Sequence, residues 1–445
     1  MSYVLLQLAE LAVEMAPSSA DRSAACAAVF DLMTAAVAAP RQTFAPALRE
    51  AYGDGPCSLW LTGERASPSA AAFHNALVSA RLDLDDGHRK ARGHPGAAVI
   101  PAVLAETDRI EASGRKINDA AILRAIVVGY EIGLRIAAAR GFYARTGFWA
   151  GLAAAAGAGV LRELPPARLA HALAIAGETG PHMATSTAGP AWPQPNGSDV
   201  KEGIPWGVVH GLAAVLLSES GMTGPLDLVD HAPFFDRDAI LAERPRAAIH
   251  EIYTKFYAAC RHCHAPVDAF LALTCANNLA TEEVQRVVVG AYSGALRISN
   301  SLTPQTVVGA QYSIPYCLGL VASHGPQILL PMTEAHLHDR AAEAFARKVT
   351  VEIDPECEMR FPAETVVRVA IEARGRQFVS TITAPRGDAA QPPTWEERIE
   401  KFRVATAGTL STTSQKKWLA SFSRLQDGSL DDLRRLAASN DVTRN

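Results

Sequence analysis

The sequence predicts a large all-α helical domain, residues 1–265, and a smaller α+β lid domain, residues 266–393, with a mainly antiparallel sheet. Apolar residues recur at helical spacing from Leu5 to the end of the first segment, which is rich in alanine, leucine and glycine. A strand-like alternation replaces this spacing in the second segment. At 445 residues the chain is also longer than one hydrophobic core usually serves. We expect residues 394–445 to be helical and to complete the first domain.

Four segments of the predicted lid domain have the composition of strands: 284–289, 348–353, 367–371 and 378–382. The last two flank Arg374-Gly375, which predicts a hairpin turn. A helix over 307–323 separates the first strand from the others. After the sheet, Thr394 and Glu397 form a capping box that begins the C-terminal helices.

The composition favours a small-molecule ligand. The formal charge is −4, and no cluster of lysine and arginine alternates with aromatic residues, so nucleic acid and an anionic membrane surface are not expected partners. The N-terminus includes Glu10 and Glu14 and lacks the basic start of a secretory signal. No apolar run of the sequence approaches the roughly 20 residues that a membrane helix needs. Seven cysteines without regular spacing fit the reducing cytoplasm, where we expect the protein.

One loop, residues 82–96, concentrates titratable side chains more than any other short stretch. Pro68 begins a helix that we expect to end near Asp83, and Pro95 begins the next helix. His94 therefore lies at a helix N-terminus, where unpaired backbone N–H groups favour an anion and disfavour an imidazolium. The sequence predicts a neutral histidine that can act as a base beside a carboxylate substrate.

The acidic side chains of this loop allow three interpretations. Asp83, Asp85 and Asp86 are compatible with the solvated end of a helix, neutralised by the basic residues that follow. With His88 and His94 they could instead bind Mg²⁺, which prefers carboxylate oxygens. The third interpretation is a metal-free catalytic site. We expect no metal and no cofactor.

Two lysines are placed to bind a carboxylate. Lys201 precedes a helix opened by Pro205, and Lys255 precedes a helix opened by Pro266. Each would join a helix N-terminus in binding an anion, and the alternative is an ordinary surface lysine. The segment 179–203 is long and rich in proline and glycine, as functional loops inside compact domains tend to be.

Residues 260–264, Cys-Arg-His-Cys-His, match the haem attachment motif Cys-x-x-Cys-His. Covalent haem requires export, for which the sequence shows no signal, and a zinc site needs a second ligand pair that does not follow. A nucleophilic thiolate at Cys260 or Cys263 stays open, because the cationic Arg261 would lower the pKa of the thiol.

Several short motifs, in one order along the chain, resemble the MmgE/PrpD family. The first is the Asp-x-Asp-Asp run in the 82–96 loop with the His-Pro-Gly that follows it. The other motifs are Gly129-Tyr130-Glu131 with Arg135, Gly141-Phe142, Ala172 to Ala176, Lys201, Gly221 to Pro225, Lys255 with Cys260-Arg261 and His264, Ser313-Ile314-Pro315-Tyr316, and Arg386-Gly387-Asp388. Together they span most of the chain, which makes the resemblance more specific than any single motif.

The resemblance implies a metal-free enzyme with its site between the two domains, acting on a di- or tricarboxylic acid. Family members are hydro-lyases such as 2-methylcitrate dehydratase, a decarboxylase of cis-aconitate and an epimerase of iminodisuccinate. Each reaction breaks a bond next to a carboxylate, so one base and one cationic cradle can serve all three. We expect dehydration, with epimerisation and decarboxylation as alternatives, and a homodimer. A non-catalytic carboxylate-binding relative is the alternative outside enzymes.

The resemblance also implies roles for individual residues. His94 is the base, Asp83 orients it, and Tyr316 is the acid. Lys201 completes the catalytic set and contributes to carboxylate binding. The remaining residues expected to bind the substrate are Lys255, Arg261, His264, Tyr143 and Asp86.

Two positions depart from the family pattern. The Gly-Phe pair at 141–142 is often followed in the family by a histidine, and Tyr143 stands there in this chain. The loop from Asp83 to His94 is one residue longer and more basic than the common pattern, with Gly87 where a hydroxyl residue is often found. Tyr143 is the main argument for a non-catalytic relative, and it leaves the specific reaction open.

Overall fold

The computed structural model describes residues 2–40, 43–181 and 201–440. Within these ranges a large helical part precedes a smaller part with a mixed sheet, which confirms the predicted fold class. Most of the predicted functional segment 179–203 lies outside the described residues. No helix in the described ranges is long and apolar enough to cross a membrane.

The helices of the N-terminal part are α1 (Val4–Glu14), α2 (Ser19–Ala38), α3 (Ala45–Tyr52), α4 (Pro68–Ala80), α5 (Pro95–Ala112), α6 (Asp119–Ala138), α7 (Thr146–Leu161), α8 (Pro166–Glu178), α9 (Ile204–Glu219) and α10 (Arg237–Leu241). The Ala/Gly-rich α7 lies at the centre and packs against α5, α6, α8 and α9. A Cβ on Gly211 of α9 would lie 2.5 Å from the carbonyl oxygen of Gly151 in α7. Small residues therefore set how closely these helices approach.

A short hairpin within this helical part was not predicted. Strands β1 (Cys57–Leu59) and β2 (Glu64–Ala66) pair antiparallel, with Leu61 and Gly63 at positive φ in the turn. Three residues per strand are too few to show an alternating pattern, so no periodic signal marks them in the sequence.

The second part contains α11 (Arg261–Ala276), β3 (Val284–Ala291), α12 (Ser293–Leu296), α13 (Val307–Gln311), α14 (Ile314–His324), α15 (Arg340–Ala346), β4 (Val349–Ile353), α16 (Pro355–Arg360), β5 (Arg368–Ala373) and β6 (Arg376–Val379). The strand order is β4-β3-β5-β6, with β3 and β4 parallel and the other two pairs antiparallel. The sheet is therefore mainly antiparallel, as predicted. Arg374 and Gly375 have φ values of 53° and 66°, the left-handed conformation that a two-residue hairpin turn requires.

Two helix boundaries differ from the prediction. The helix predicted over 307–323 is divided at Ser313, whose backbone is extended and whose hydroxyl accepts the N–H of Tyr316. The helix after Lys255 begins at Arg261 instead of Pro266, and the proline lies inside it. A proline in a helix removes one backbone N–H without always ending the helix, so its position alone misplaced the start.

The C-terminal helices are α17 (Trp395–Ala405), α18 (Thr412–Gln426) and α19 (Asp431–Ala437). The buried rings of Phe402 and Phe422 belong to the same hydrophobic core as the N-terminal helices. The buried ammonium of Lys401 in α17 also lies 2.6 Å from the carboxylate of Asp31 in α2. These contacts support the proposal that residues 394–445 complete the helical domain.

Candidate active site

A cavity of about 590 Å³ lies where the loop between α4 and α5 meets the segment before α11. Its walls include five side chains predicted from the sequence: Asp83, His94, Tyr143, Lys255 and Arg261. The volume is in the range of roughly 300–1,000 Å³ that is usual for small-molecule sites. The fold thus gathers residues that are far apart in the chain around one space of ligand size.

Asp83 is the central charge of the cavity wall. It follows α4 with a φ of 53°, and its side chain is buried. The Lys201 ammonium donates to Asp83 Oδ1, and the Lys255 ammonium lies 2.7 Å from the same oxygen. Burial alone would raise the pKa of Asp83, but the two cations outweigh it and hold the pKa well below its usual range. Asp83 is therefore ionised and fixes both ammonium groups.

His94 is the residue immediately before α5, and its ring has a defined orientation. Nδ1 lies 2.7 Å from the carbonyl oxygen of Asp86, which can only accept, so Nδ1 carries the proton of the neutral ring. Nε2 then holds the free lone pair, 3.6 Å from Asp83 Oδ1 and 3.9 Å from Glu202 Oε1. The His94 backbone N–H donates to Thr146 Oγ1 at 3.2 Å, which fixes the start of the helix.

The pKa of His94 is strongly depressed. Burial lowers it to about 3, assisted by the positive charges of Lys201 and Lys255, although two nearby carboxylates oppose the shift. The direction agrees with the neutral histidine predicted from the sequence. The ring can therefore act as a general base at neutral pH, when other groups supply the positive charge.

Two further carboxyl groups lie beside His94. Asp86 Oδ1 accepts the N–H of Gly96 at 2.8 Å, and Oδ2 accepts the hydroxyl of Tyr130 at 2.7 Å. Burial raises the pKa of Asp86 to about 7 in spite of these bonds. Asp85 is also buried, and among the described residues its carboxyl oxygens have no hydrogen-bond partner. Asp86 holds the start of α5 and does not line the cavity, so its expected contact with substrate stays a prediction.

Tyr316, the predicted acid, does not reach the cavity. Its hydroxyl is in the second hydrophobic core and donates to the carbonyl oxygen of His336 at 2.7 Å. The break at Ser313 separates it from Tyr312, which does line the cavity. The catalytic role expected of Tyr316 stays a prediction, and Tyr312 is the tyrosine of this segment that lines the cavity.

His264 also lies away from the cavity. Its ring is buried in α11, with Nε2 3.2 Å from the carbonyl oxygen of Ala259 and the ring centroid 5.1 Å from that of Tyr257. Arg261, one turn earlier on the same helix, does line the cavity. Because α11 begins at Arg261, its first residue lies at the cavity while the next turn packs inside the protein.

Tyr143 lines the cavity, whereas Lys201 lies behind its wall and contacts Asp83. Lys201 is 9% exposed and contacts the cavity wall through Asp83. Tyr143 is 43% exposed and lines the cavity directly. Burial and the neighbouring Glu202 raise the pKa of the Tyr143 phenol, so it is a protonated donor at neutral pH. The position where the family pattern has a histidine therefore presents a hydroxyl group.

Tyr253 is a cavity residue that the sequence analysis missed. It pairs with Gly87 through two backbone hydrogen bonds of 3.1 and 2.8 Å, and a side chain at position 87 would collide with its hydroxyl. The Arg261 guanidinium lies 4.4 Å from the centre of the Tyr253 ring. Burial raises the pKa of this phenol, which stays protonated. The departure at Gly87 was the signal that could have pointed to it, because another group occupies the space there.

Glu202 was also missed, since a single glutamate after Lys201 carries no pattern. Its Oε2 accepts the hydroxyl of Thr146, the same hydroxyl that accepts the His94 N–H. Glu202 therefore connects the start of α9 to the start of α5 through one threonine. It is also the second carboxylate near His94 Nε2.

The side chains around His94 show whether this part of the loop could bind Mg²⁺. Among the described residues, Asp83, Asp85 and His94 place possible ligand atoms within 4.8 Å of one another. The Lys201 ammonium already donates to Asp83 and lies 3.7 Å from Asp85 Oδ1. A Mg²⁺ ion also requires near-octahedral oxygen ligands, and a divalent cation here would be repelled by the ammonium group. These donors fit a lysine better than they fit a metal ion.

The pKa shifts of the two cysteines in the 260–264 motif argue against a nucleophilic role. Burial and the negative charge of Asp83 raise the pKa of Cys260 to about 12. Burial also raises the pKa of Cys263 well above its usual value. Both thiols are therefore protonated at neutral pH, which argues against the thiolate that the sequence left open.

Comparison with known proteins identifies the family of the chain. The MmgE/PrpD N-terminal domain family matches residues 7–237, and the MmgE/PrpD C-terminal domain family matches residues 257–427. A cis-aconitate decarboxylase from Aspergillus terreus (strain NIH 2624 / FGSC A1156) is 24% identical over 398 residues, which covers 82% of this chain and 79% of the relative. A cis-aconitate decarboxylase from Aspergillus terreus is 23% identical with the same coverage. Because the two domain families together match most of the chain, this protein belongs to the MmgE/PrpD family.

Proposed function

We propose that the protein is a lyase that dehydrates a citrate-like di- or tricarboxylic acid by removing a proton next to a carboxylate. The observation that carries the proposal is the neutral His94, whose Nε2 is unprotonated beside two buried ammonium groups. A base must be unprotonated before it reacts, and the carbanion next to a carboxylate must be stabilised by positive charge. His94 meets the first requirement, and Lys201 with Lys255 meets the second.

We expect two cationic side chains of the cavity, Lys255 and Arg261, to bind the substrate carboxylates. The Lys255 ammonium gives two of its three N–H bonds to Asp83, one to Oδ1 and one to the carbonyl oxygen at 3.0 Å. Arg261 is held by the carbonyl oxygen of Arg386 at 3.0 Å, while its buried Nε has no partner among the described residues. Both side chains are thus fixed in place, and Lys255 keeps one N–H for a ligand. We assign both to carboxylate binding.

The leaving hydroxyl group needs a proton, and we assign that role to Tyr253 in place of Tyr316. Tyr253 lines the cavity and is protonated at neutral pH. The nearby Arg261 guanidinium would stabilise the phenolate that forms when the proton is donated. In this scheme His94 removes the proton from carbon, and water leaves with the proton of Tyr253.

Decarboxylation is the second candidate, because both curated relatives are named cis-aconitate decarboxylases. That reaction releases CO₂ and leaves a carbanion, which an acid must then protonate. The neutral His94 is not such an acid, so Lys255 or Tyr253 would have to supply the proton. Decarboxylation would also leave the neutral His94 without a role, whereas dehydration uses it as the base, so we place dehydration first.

A substrate panel separates these reactions. Citrate, 2-methylcitrate, cis-aconitate and an amino diacid are each incubated with the protein in D₂O. A gain of alkene absorbance indicates dehydration, CO₂ release indicates decarboxylation, and deuterium uptake without either indicates epimerisation. Binding of an acid without any of the three signals would mean a non-catalytic relative and would refute the proposal.

Three further expectations belong to the proposal. Activity should be unchanged after dialysis against EDTA, because the donors near His94 fit a lysine better than a metal. A loss of activity that Mg²⁺ restores would contradict this. The homodimer and the cytoplasmic location predicted from the sequence stay predictions, which light scattering and cell fractionation can test.

A further inference from the structure

The basic side chains of the cavity fall into two groups. Five of them line it: Arg89, Arg92, Lys255, Arg261 and Arg297. Lys255 has Asp83 as its partner at 2.7 Å. Arg89 and Arg261 share the carboxylate of Asp388, at 2.7 and 3.6 Å.

Arg92 and Arg297 form the second group. Within residues 2–40, 43–181 and 201–440, neither guanidinium has a carboxylate partner or a side-chain hydrogen bond. Both side chains are exposed, yet both line the same cavity. One comes from the loop before α5 and the other follows α12, so the two come from different parts of the fold. An unpaired arginine at a ligand cavity is a ready partner for an anion.

The backbone that carries Arg92 is fixed before any ligand binds. The carbonyl oxygen of Ala91 accepts the Arg140 guanidinium at 2.7 Å, and the carbonyl oxygen of Gly93 accepts the His88 N–H at 2.9 Å. Arg92 itself has a φ of 48° between these two anchors. A preorganised loop loses little entropy when the ligand binds, which favours affinity.

The cavity is also locally positive in a chain that is negative overall. Its walls carry five basic side chains against two acidic ones, Asp83 and Glu202, whereas the chain has a formal charge of −4. A cleft lined by one sign of charge raises the local concentration of ions of opposite sign. The excess charge comes from Arg92 and Arg297, because the other three cations have carboxylate partners.

We propose that Arg92 and Arg297 form a second anion subsite, which selects substrates with a third carboxylate in addition to the two bound by Lys255 and Arg261. This inference rests on the proposed function, in which Lys255 and Arg261 bind the carboxylates nearest to His94. The protein then distinguishes a tricarboxylic acid from a dicarboxylic acid of the same chain length. The long basic loop of this chain is what supplies Arg92.

A matched pair of unreactive acids tests the subsite without requiring turnover. Tricarballylate has three carboxylates on a propane chain. Glutarate has the same chain and the two terminal carboxylates, and it lacks the central one. Titration calorimetry at pH 7 in about 0.15 M salt, where exposed charges are realistically screened, measures both affinities. Wild-type protein should bind tricarballylate about 10- to 100-fold more tightly than glutarate, the usual effect of hydrogen bonds to a charged group.

The double variant Arg92→Gln/Arg297→Gln should lose this preference, with tricarballylate weakened to the level of glutarate and glutarate changed by no more than about twofold. The variant with lysine at both positions should recover part of the preference, because it keeps charge and loses the planar fork. Arg286→Gln is the matched control, since Arg286 pairs with Glu372 on the exposed face of the sheet. It should leave both affinities unchanged.

Three results would overturn the subsite. The first is an equal affinity of wild-type protein for the two acids. The second is an equal loss of affinity for both acids in the double variant, and the third is that neither acid binds. Failure of the proposed function is a different result. It would be seen as absent turnover on the substrate panel while wild-type protein still prefers tricarballylate and the double variant does not.

Discussion

Replacing His94 by glutamine removes the proposed base and keeps a donor for the carbonyl oxygen of Asp86. The expected loss in kcat is about 10²- to 10⁴-fold, the usual contribution of a general base, or roughly 3–5 kcal/mol of activation free energy. The folded protein loses at most one good hydrogen bond of 2.7 Å. Such a bond contributes about 1 kcal/mol, which in a chain of this length lowers the melting temperature by no more than a few degrees.

The pH dependence of the wild-type protein makes the same prediction sharper. With a pKa of about 3, His94 is unprotonated throughout the range from pH 5 to pH 8. Protonation of His94 should therefore cause no change in kcat between pH 5 and pH 8. A histidine with the ordinary pKa of about 6.5 would instead lose roughly 30-fold in activity by pH 5.

The assay is the rate of alkene formation on the best substrate of the panel, measured beside the melting temperature. His264→Gln is the matched control, because His264 is equally buried, contacts a backbone carbonyl oxygen and does not line the cavity. It should alter the melting temperature more than kcat. Full turnover by His94→Gln would refute the assignment of the base, whereas an acidic limb near pH 7 alone would not, because burial raises the pKa of the neighbouring Asp86 to about 7.

Four other outcomes are expected. Below about pH 6.5, the free energy of unfolding of wild-type protein, measured by urea titration, should fall relative to that of His94→Gln by about 1.4 kcal/mol per pH unit. The reason is that only the unfolded histidine binds a proton there. An equal pH dependence of the unfolding free energy in the two proteins would contradict the depressed pKa. Lys201→Ala should weaken tricarballylate binding and lower kcat together, since the ammonium acts on substrate and transition state alike. Unchanged binding with unchanged kcat would contradict this role of Lys201. Tyr253→Phe should lower kcat about 10²-fold or more, whereas Tyr316→Phe should leave it nearly unchanged, and the reverse order would restore the sequence-based choice of acid. A chain ending at Asp388 should be insoluble or unstable, because α17 to α19 contribute to the first hydrophobic core; a normal melting curve would show that they are an appendage.

The local sequence was sufficient to place the helices on either side of the site. The Ser67 hydroxyl caps α4 by accepting the N–H of Ala70, and Pro68 stands at its first position, as the sequence predicted. Pro95 opens α5 in the same way and leaves His94 immediately before it. These signals involve groups within a few residues of one another, so they are readable without the rest of the fold.

The strand pattern and the family resemblance could also be recognised in the sequence, and the fold class and the family were confirmed. The resemblance supplied Lys201, Lys255 and Arg261 as candidates, and the structure brings all three to the region of Asp83. It could not rank Tyr316 against Tyr253, because a motif records residue order and not the direction of a side chain.

Only the tertiary structure decided which groups share the cavity. Asp83 meets Lys201 across 118 positions and Lys255 across 172. The approach of these charges depends on how helices pack through small residues, and no short stretch of sequence specifies that geometry. The depressed pKa of His94 follows from the same packing, since burial is its largest cause and the two lysines add to it. The sequence by itself therefore determined the helices and the candidate base, whereas tertiary packing determined the charge around that base, because electrostatic interactions depend on distance in space and on exclusion of water.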